Sequence, residues 1–154
     1  MVYSTDIQFL IFLMGLGNAP NPARIKKQKG ARMPKITPYL WFESKAEEAV
    51  NFYVSIFRDS KIMDITKFDG KDVGQEGAVV SITFQLEGQQ FYALNGGPQF
   101  AFSPAVSFYI DCETQQEIDH YWEKLSCGGE KQMCGWLKDK YGRRGRLSRS
   151  FWAR

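Results

Sequence analysis

The fold is indicated most directly by residues 36–57, which read ITPYLWFESKAEEAVNFYVSIF. The opening residues of this stretch are mostly β-branched or aromatic, which predicts a strand, and Pro38 places that strand at a sheet edge or a bulge. Ser44 and Glu47 then have the S-x-x-E spacing of a capping box at the start of a helix. Apolar residues follow at intervals of three and four, so we predict a helix over residues 45–57 with one buried face.

Three short strands are predicted after this helix. Residues 61–68 form the first strand, and a glycine-rich loop follows it. Residues 78–86 alternate between apolar and polar side chains, which is typical of a strand with one buried face. Glu87 and Gly88 predict a two-residue hairpin turn, so residues 90–95 are expected to return beside the previous strand.

The same order of elements begins again in the second half of the chain. A strand is predicted at 105–111, Thr114 and Glu117 repeat the capping-box spacing, and an apolar stripe predicts a helix that ends before the glycine pair 128–129. A further strand is predicted at 131–137. Because the strand–helix order repeats, we predict an α+β fold of two βαβββ units that form a curved mixed sheet with the helices outside.

The charge of the chain is unevenly distributed. The formal net charge is +3, but residues 1–32 carry +4 and residues 143–154 carry +5, which leaves −6 on residues 33–142. A protein that binds nucleic acid needs a basic patch on its folded domain. The acidic central region therefore argues against a nucleic-acid partner.

Cysteine usage and hydropathy indicate a cytoplasmic protein with no membrane partner. The three cysteines, Cys112, Cys127 and Cys134, form no C-x-x-C pair, so neither a disulfide framework nor a structural zinc site is expected. The apolar run at residues 7–16 is too short to span a bilayer, and it lacks the basic flank that precedes the core of a signal peptide. We expect residues 1–33 to form an N-terminal extension that is disordered or partly helical.

Three segments resemble the PhnB-like subgroup of the glyoxalase, or vicinal oxygen chelate (VOC), superfamily. They are PKITPYLWFESKAEEAVNFYVSIF at 34–57, FYALNGGPQFAFSPAVSFYIDC at 91–112 and YWEKLSCGGEKQMCGWLKDKYG at 121–142. The resemblance covers residues 34–142 and implies one glyoxalase-fold domain that pairs into a homodimer. Members of the subgroup have often been labelled 3-demethylubiquinone-9 3-methyltransferases.

The resemblance stops at residues 143–154, which read RRGRLSRSFWAR. In the family, the second unit continues here into an apolar closing strand. Five arginines in twelve residues are not expected in a buried strand, and either divergence or a change of reading frame near Gly142 would account for them. We therefore predict an Arg-rich divergent tail, a last strand that is missing or badly formed, and a second unit that is incomplete at its C-terminus.

The metal chemistry of the superfamily is not expected in this chain. The resemblance implies four metal-ligand positions, which fall at Pro38, Ala93, Ala105 and near Arg146, with Asn95 able to offer one weak oxygen. Proline and alanine provide no ligand side chain, and a guanidinium repels a cation. Divalent metals need several carboxylate or imidazole ligands. We therefore expect no metal ion and no other cofactor.

The sequence contains no complete catalytic group, so the catalytic residues stay unknown. The single histidine, His120, is read as a surface residue of the second helix. The predicted strand-to-helix turn at 43–45 has no glycine, whereas donors of the S-adenosyl kind usually bind on a glycine-rich turn.

An apolar and aromatic cavity remains as the candidate site. Such walls with a few polar groups are typical of a small-molecule pocket, and the same residues are equally consistent with plain core packing. Two functions stay open: binding of a small, partly apolar molecule without metal, or an enzyme that is either the labelled methyltransferase or a metal-free lyase or isomerase. The candidate lining residues are Pro38, Leu40, Phe84, Ala93, Asn95, Ala105, Ser107 and Trp136.

Overall fold

The computed structural model of the chain describes residues 36–67 and 77–149. The first unit has five elements in the predicted order: strand, helix, strand, strand, strand. Their bounds are β1 (Tyr39–Phe42), α1 (Ala46–Ile56), β2 (Ser60–Lys67), β3 (Val79–Leu86) and β4 (Gln89–Asn95). The predicted N-terminal extension, residues 1–33, lies outside the described residues.

The second unit repeats this order. Its elements are β5 (Ser107–Cys112), α2 (Gln115–Leu125), β6 (Glu130–Lys131), β7 (Trp136–Lys138) and β8 (Arg144–Arg149). The strand predicted over 131–137 is divided into β6 and β7 by a short 3-10 turn at Met133–Gly135. Gly135 has a φ of 75°, and a Cβ there would lie 2.5 Å from the carbonyl oxygen of Leu147, so both backbone conformation and space require glycine. The doubled order confirms the prediction of two βαβββ units.

The described strands form two four-stranded mixed sheets rather than one continuous sheet. The strand order is β1-β4-β3-β2 in the first unit and β5-β8-β7-β6 in the second. In each unit the first strand runs parallel to the last, and the other neighbours are antiparallel. The two units therefore share one topology, as the repeated sequence order predicts.

The prediction that the last strand is missing or badly formed, and the second unit therefore incomplete at its C-terminus, is wrong. Strand β8 forms and lies between β5 and β7, in register from Ser107 opposite Arg144 to Cys112 opposite Arg149. This arginine-rich segment can form a strand because successive side chains of a strand point to opposite faces of the sheet. Gly145 and Leu147 are buried on one face, while Arg144 and Arg146 lie on the other. Arginine at alternate positions is therefore compatible with a central strand, and residues 150–154 of the predicted tail lie outside the described residues.

The two helices begin in different ways, although both were predicted to have capping boxes. At the start of α2 the prediction is confirmed: Thr114 Oγ1 accepts the N–H of Glu117 at 3.2 Å, and Glu117 Oε2 accepts the N–H of Glu113 at 2.8 Å. At the start of α1 it is wrong, because the residue before Ala46 makes no side-chain cap. The Oδ1 atom of Asn95, at the end of β4, accepts the N–H of Ala46 at 2.8 Å instead.

The core of the first unit lies between α1 and its sheet. The buried face of α1 includes Ala49, Val50 and Tyr53, and it packs against β3, where Ile82 and Phe84 are fully buried. Helical spacing on one side and strand alternation on the other bring these side chains together.

The units meet through the faces that carry the helices. The rings of Phe91 and Phe108 are 5.6 Å apart in a T-shaped pair, and those of Phe57 and Tyr121 are stacked at 5.0 Å. Aromatic pairs at these distances stabilise contacts beyond simple burial. The space left beside these ring pairs is the candidate site.

Candidate functional site

A cavity of about 690 Å³ lies between the two units. Its walls are formed by the helix-bearing faces of both sheets, by both helices and by the beginning of β8. Most wall residues are apolar or aromatic; examples are Leu40, Phe84 and Phe91 from the first unit, and Phe108, Tyr121 and Leu137 from the second.

Three of the eight residues predicted from the sequence, Pro38, Leu40 and Phe84, line this cavity. Leu40 and Phe84 are also buried members of the core beneath α1, so the same side chains provide both packing and cavity wall. Contact of these residues with a ligand stays a prediction.

Ala93 and Asn95 lie on β4 and do not border the cavity. Ala93 is fully buried beside Leu40, its partner in the β1–β4 register. The Oδ1 atom of Asn95 accepts a hydrogen bond from the N–H of Ala46, and its Nδ2 donates one to the carbonyl oxygen of Val79 at 3.0 Å. Both residues therefore hold the first unit together.

Ala105, Ser107 and Trp136 belong to the second unit, and none of them borders the cavity. Ala105 lies in an exposed turn, and Ser107 is the exposed first residue of β5. Trp136 is half-buried beneath the guanidinium groups of Arg144 and Arg146, which lie 4.7 and 5.5 Å from its ring centroid.

The positions implied for a metal do not form a ligand set. Ala93 is buried and has no donor side chain, while Arg146 is exposed over the ring of Trp136. Asn95 already uses its side-chain oxygen on the N–H of Ala46. Within residues 36–67 and 77–149, no three His, Cys, Asp or Glu side chains are grouped as a metal site. The donor chemistry of these positions does not fit a divalent metal ion.

A buried hydrogen bond joins the two units at the cavity wall. Tyr53 on α1 donates its hydroxyl to Asp139 Oδ2 at 2.6 Å. Asp139 Oδ1 accepts the backbone N–H groups of Tyr141 and Arg143, both at 2.8 Å. Burial raises the pKa of the Tyr53 phenol and also that of the Asp139 carboxyl, which the hydrogen bond from Tyr53 lowers in part. The phenol therefore keeps its proton at neutral pH and acts as the donor.

Arg143 is buried on the same wall, with 5% of its surface exposed. Its Nη2 donates to the carbonyl oxygen of Trp41 at 2.9 Å and its Nη1 to that of Tyr141 at 3.3 Å. The guanidinium also lies over the rings of Phe42 and Phe102. Burial lowers the pKa of Arg143 to about 10, so the side chain remains charged at neutral pH.

A second polar cluster in the lining is centred on Glu87. Its Oε1 accepts the N–H of Arg58 at 3.0 Å and the hydroxyl of Tyr121 at 3.3 Å. Glu113 and Glu117, at the start of α2, also border the cavity. The lining therefore contains a cluster of acidic side chains around Glu87 and a basic residue, Arg143, directly before β8.

Sequence reasoning missed Tyr53, Asp139 and Arg143 as site residues. Tyr53 was counted only as part of the apolar helix stripe, Asp139 as part of a turn, and Arg143 as part of the tail. One signal was available, because a tyrosine on a buried helix face needs a partner for its hydroxyl. His120 is exposed on α2, as expected, and its Nε2 lies 3.2 Å from the carbonyl oxygen of Ile56.

The described helices are too short or too polar to cross a membrane. The longest stretches, α1 and α2, have eleven residues each. A bilayer requires about 20 residues of helix.

Comparison with known proteins identifies one family. Residues 34–144 match the family model described as 3-demethylubiquinone-9 3-methyltransferase. The chain is 42% identical to a putative 3-demethylubiquinone-9 3-methyltransferase, a PhnB protein from Bacillus cereus, over 76% of this chain and 100% of that chain, with a TM-score of 0.70. A search of curated proteins gave no match.

More distant structures share the fold alone. Protein PA1353 from Pseudomonas aeruginosa is 16% identical, over 77% of this chain and 98% of that chain, with a TM-score of 0.63. The fosfomycin resistance protein FosX from Listeria monocytogenes is 12% identical, over 80% of this chain and 93% of that chain, with a TM-score of 0.57. The family match, the 42% identity and the doubled βαβββ order agree. The chain therefore belongs to the PhnB-like family of the VOC superfamily, whose family model is described as 3-demethylubiquinone-9 3-methyltransferase.

Proposed function

We propose that this protein binds a small, partly apolar molecule in the cavity between its two units, without a metal ion. The cavity itself carries the proposal, because about 690 Å³ lies within the range of small-molecule sites, roughly 300–1,000 Å³. Its aromatic and aliphatic walls favour burial of an apolar body. The polar groups of Tyr53, Asp139 and Arg143 would fix the orientation of that body.

The uncharged dye N-phenyl-1-naphthylamine tests this proposal, because its fluorescence rises in apolar surroundings. We expect saturable binding to the full chain. Leu86 is a half-buried wall residue on β3, and Leu86→Trp places an indole ring in the space that the dye would occupy. Dye affinity should fall about tenfold, since losing two buried methylene contacts of about 0.8 kcal/mol each has that effect.

Leu94→Trp is the matched control for the cavity experiment. Leu94 is a half-buried leucine on β4 that does not border the cavity. This variant should bind the dye like the parent protein. Absence of saturable dye binding, or an equal loss of affinity in both variants, would contradict the proposal.

The methyl transfer in the family description is not proposed for this chain. The turn between β1 and α1 consists of Glu43, Ser44 and Lys45, which provide no glycine for a phosphate or methyl-donor cradle. The buried groups on the cavity wall support binding, and no described feature favours transfer of a methyl group over binding.

We also propose that the protein forms a homodimer through β1 and β5. Each of these strands is an edge of its four-stranded sheet. Large exposed apolar side chains are concentrated on or beside them, namely Ile36, Tyr39, Val106 and Tyr109. An open strand edge with exposed apolar residues is typical of a protein–protein interface.

Sedimentation velocity at micromolar concentration tests the dimer. The parent protein should sediment as a dimer, and Val106→Asp should shift it to a monomer because a charge at the interface must lose water. Met133→Asp is the control, since Met133 is equally apolar and exposed but lies between β6 and β7. A monomeric parent protein would count against this interface.

We further propose a cytoplasmic location and no nucleic-acid partner. Cys112, Cys127 and Cys134 form no disulfide with one another, which suits a reducing compartment. Residues 33–142, which include most of the described fold, carry a net charge of −6. Such a domain would repel a nucleic-acid backbone.

A further inference from the structure

The face of the second sheet that points away from the helices carries a cluster of basic side chains. Strand alternation places Arg144 and Arg146 of β8 on this face, opposite in direction to the buried Leu147. Lys138 of β7 lies directly across from Arg144 in the strand register, and both Lys138 and Arg146 are exposed. The arginine-rich segment therefore builds a basic cluster, Lys138, Arg144 and Arg146, where an apolar closing strand was expected from the family.

The two guanidinium groups of the basic cluster are held over one aromatic ring. Their Cζ atoms lie 4.7 and 5.5 Å from the ring centroid of Trp136, which is opposite Arg146 in the register. Arg144 is fixed further, because its Nη1 donates to the carbonyl oxygen of Pro104 at 2.9 Å and its Nη2 to Gln132 Oε1 at 3.0 Å. A guanidinium that is already oriented loses less entropy when it binds a ligand.

The positive charges of the basic cluster repel one another in the folded protein. Like charges directly opposite each other on neighbouring strands are destabilising. Neither ion pair within residues 36–67 and 77–149 includes a member of the cluster. Asp111 and Glu130 share the face, but they lie at its opposite corners, on the edge strands β5 and β6. An anion bound at the centre of the face would therefore relieve the repulsion.

We propose that the basic cluster is a second binding site, which takes the dianionic phosphate group of a small phosphate monoester. The cluster is compact, since Arg144 and Arg146 are two strand residues or about 7 Å apart, and directly opposite strand residues have Cβ atoms about 5 Å apart. Three positive groups at this spacing fit one tetrahedral dianion, whereas a nucleic-acid backbone or an acidic peptide requires cations spread along a longer track. Guanidinium groups bind phosphate oxygens through paired, charge-assisted hydrogen bonds. The inference does not depend on the proposed function, because these side chains lie on the other face of the sheet from the cavity.

Two ligands of matched shape test the inference by isothermal titration calorimetry. Phenyl phosphate and phenyl sulfate have the same ring and a tetrahedral anionic group, but at neutral pH the phosphate carries nearly two negative charges and the sulfate carries one. At low ionic strength, phenyl phosphate should bind the full chain about tenfold more tightly than phenyl sulfate. Equal affinities, or no saturable binding of phenyl phosphate, would overturn the inference.

Substitutions of exposed side chains then assign the binding to the cluster. Arg146→Met should weaken the binding of phenyl phosphate about tenfold, and Lys138→Met about threefold, because Lys138 also lies opposite Glu130. Lys61→Met is the matched control, since Lys61 is an exposed strand lysine on β2 of the first unit, and it should leave the affinity unchanged. Thermal unfolding shows whether each variant is folded. An unchanged affinity in Arg146→Met, or an equal loss in the control, would contradict the assignment.

Two competition experiments identify the position and the source of the phosphate. N-phenyl-1-naphthylamine, the dye used for the cavity, should not displace phenyl phosphate, and mutual exclusion would place the phosphate in the cavity and overturn the inference. An oligothymidylate carries one charge per phosphate, so it should compete no better than phenyl sulfate at the same phosphate concentration. Tighter competition would make a nucleic acid the occupant and reject the small phosphate monoester.

Discussion

Replacing Asp139 by alanine is expected to lower the free energy of unfolding by about 3–5 kcal/mol. The carboxylate accepts the hydroxyl of Tyr53 and the backbone N–H groups of Tyr141 and Arg143. Alanine leaves all three donors without an acceptor, and each unsatisfied buried group costs about 1–3 kcal/mol. Removing the desolvation cost of the carboxylate itself offsets part of this loss.

Urea unfolding at neutral pH measures this effect. Tyr53→Phe removes only the phenol hydroxyl and should cost about 1–3 kcal/mol. The double variant should cost less than the two single variants together, because both remove the same hydrogen bond. Asp119→Ala is the control, since Asp119 is an exposed carboxylate on α2 and its loss should change stability by less than about 0.5 kcal/mol. If Asp139→Ala were as mild as this control, the bond between the units would contribute little.

Replacing Leu147 by aspartate is expected to unfold the second unit or to destabilise it by more than about 4 kcal/mol. Leu147 is 6% exposed on β8, the strand between β5 and β7. A carboxylate there would lose its water without gaining an ionic partner. The substitution therefore tests directly whether the arginine-rich segment is a true part of the sheet.

Arg146→Asp on the same strand is the matched comparison. Its side chain is exposed on the opposite face, so it should cost about 1 kcal/mol or less, mainly through the lost contact with Trp136. Thermal unfolding followed by circular dichroism measures both variants. Similar melting temperatures for the two variants would mean that the alternation of β8 does not control its stability.

Local signals in the sequence predicted the elements of the first unit well. Residues 36–57 carry strand propensity, helical spacing and polar residues at the turn, and each of these acts between residues close in sequence. The same local signals located α2, where the Thr114 cap acts within the same turn. These are the parts of the fold that do not depend on distant partners.

Two predictions failed for different reasons. In one, the amino-acid composition of a segment was given more weight than the alternation of its side chains. In the other, a local motif was given more weight than a contact with a residue distant in sequence. Counting arginines in RRGRLSRSFWAR concealed the alternation that buries Gly145 and Leu147. The S-x-x-E motif at Ser44 predicted a local cap, but the cap of α1 comes from Asn95. A single sequence does not reveal which of two chemically adequate acceptors, Ser44 or Asn95, will cap the helix.

The candidate site was predicted less completely than the fold. Pro38 was identified because the family resemblance implies a ligand position there, and Leu40 and Phe84 are apolar residues of predicted strands. Tyr53 and Asp139 are 86 positions apart, and only the packing of the two units brings them into contact. Polar groups that meet across an interface between units carry no local signature.

The different caps of α1 and α2 have a consequence for the order of folding. The cap of α2 closes within a loop of three residues, which costs little chain entropy, so this helix can form early. The cap of α1 spans 49 positions and is absent until β4 has joined β1. The N-terminal turn of α1 should therefore become stable late, together with the first sheet, although the two units share one topology.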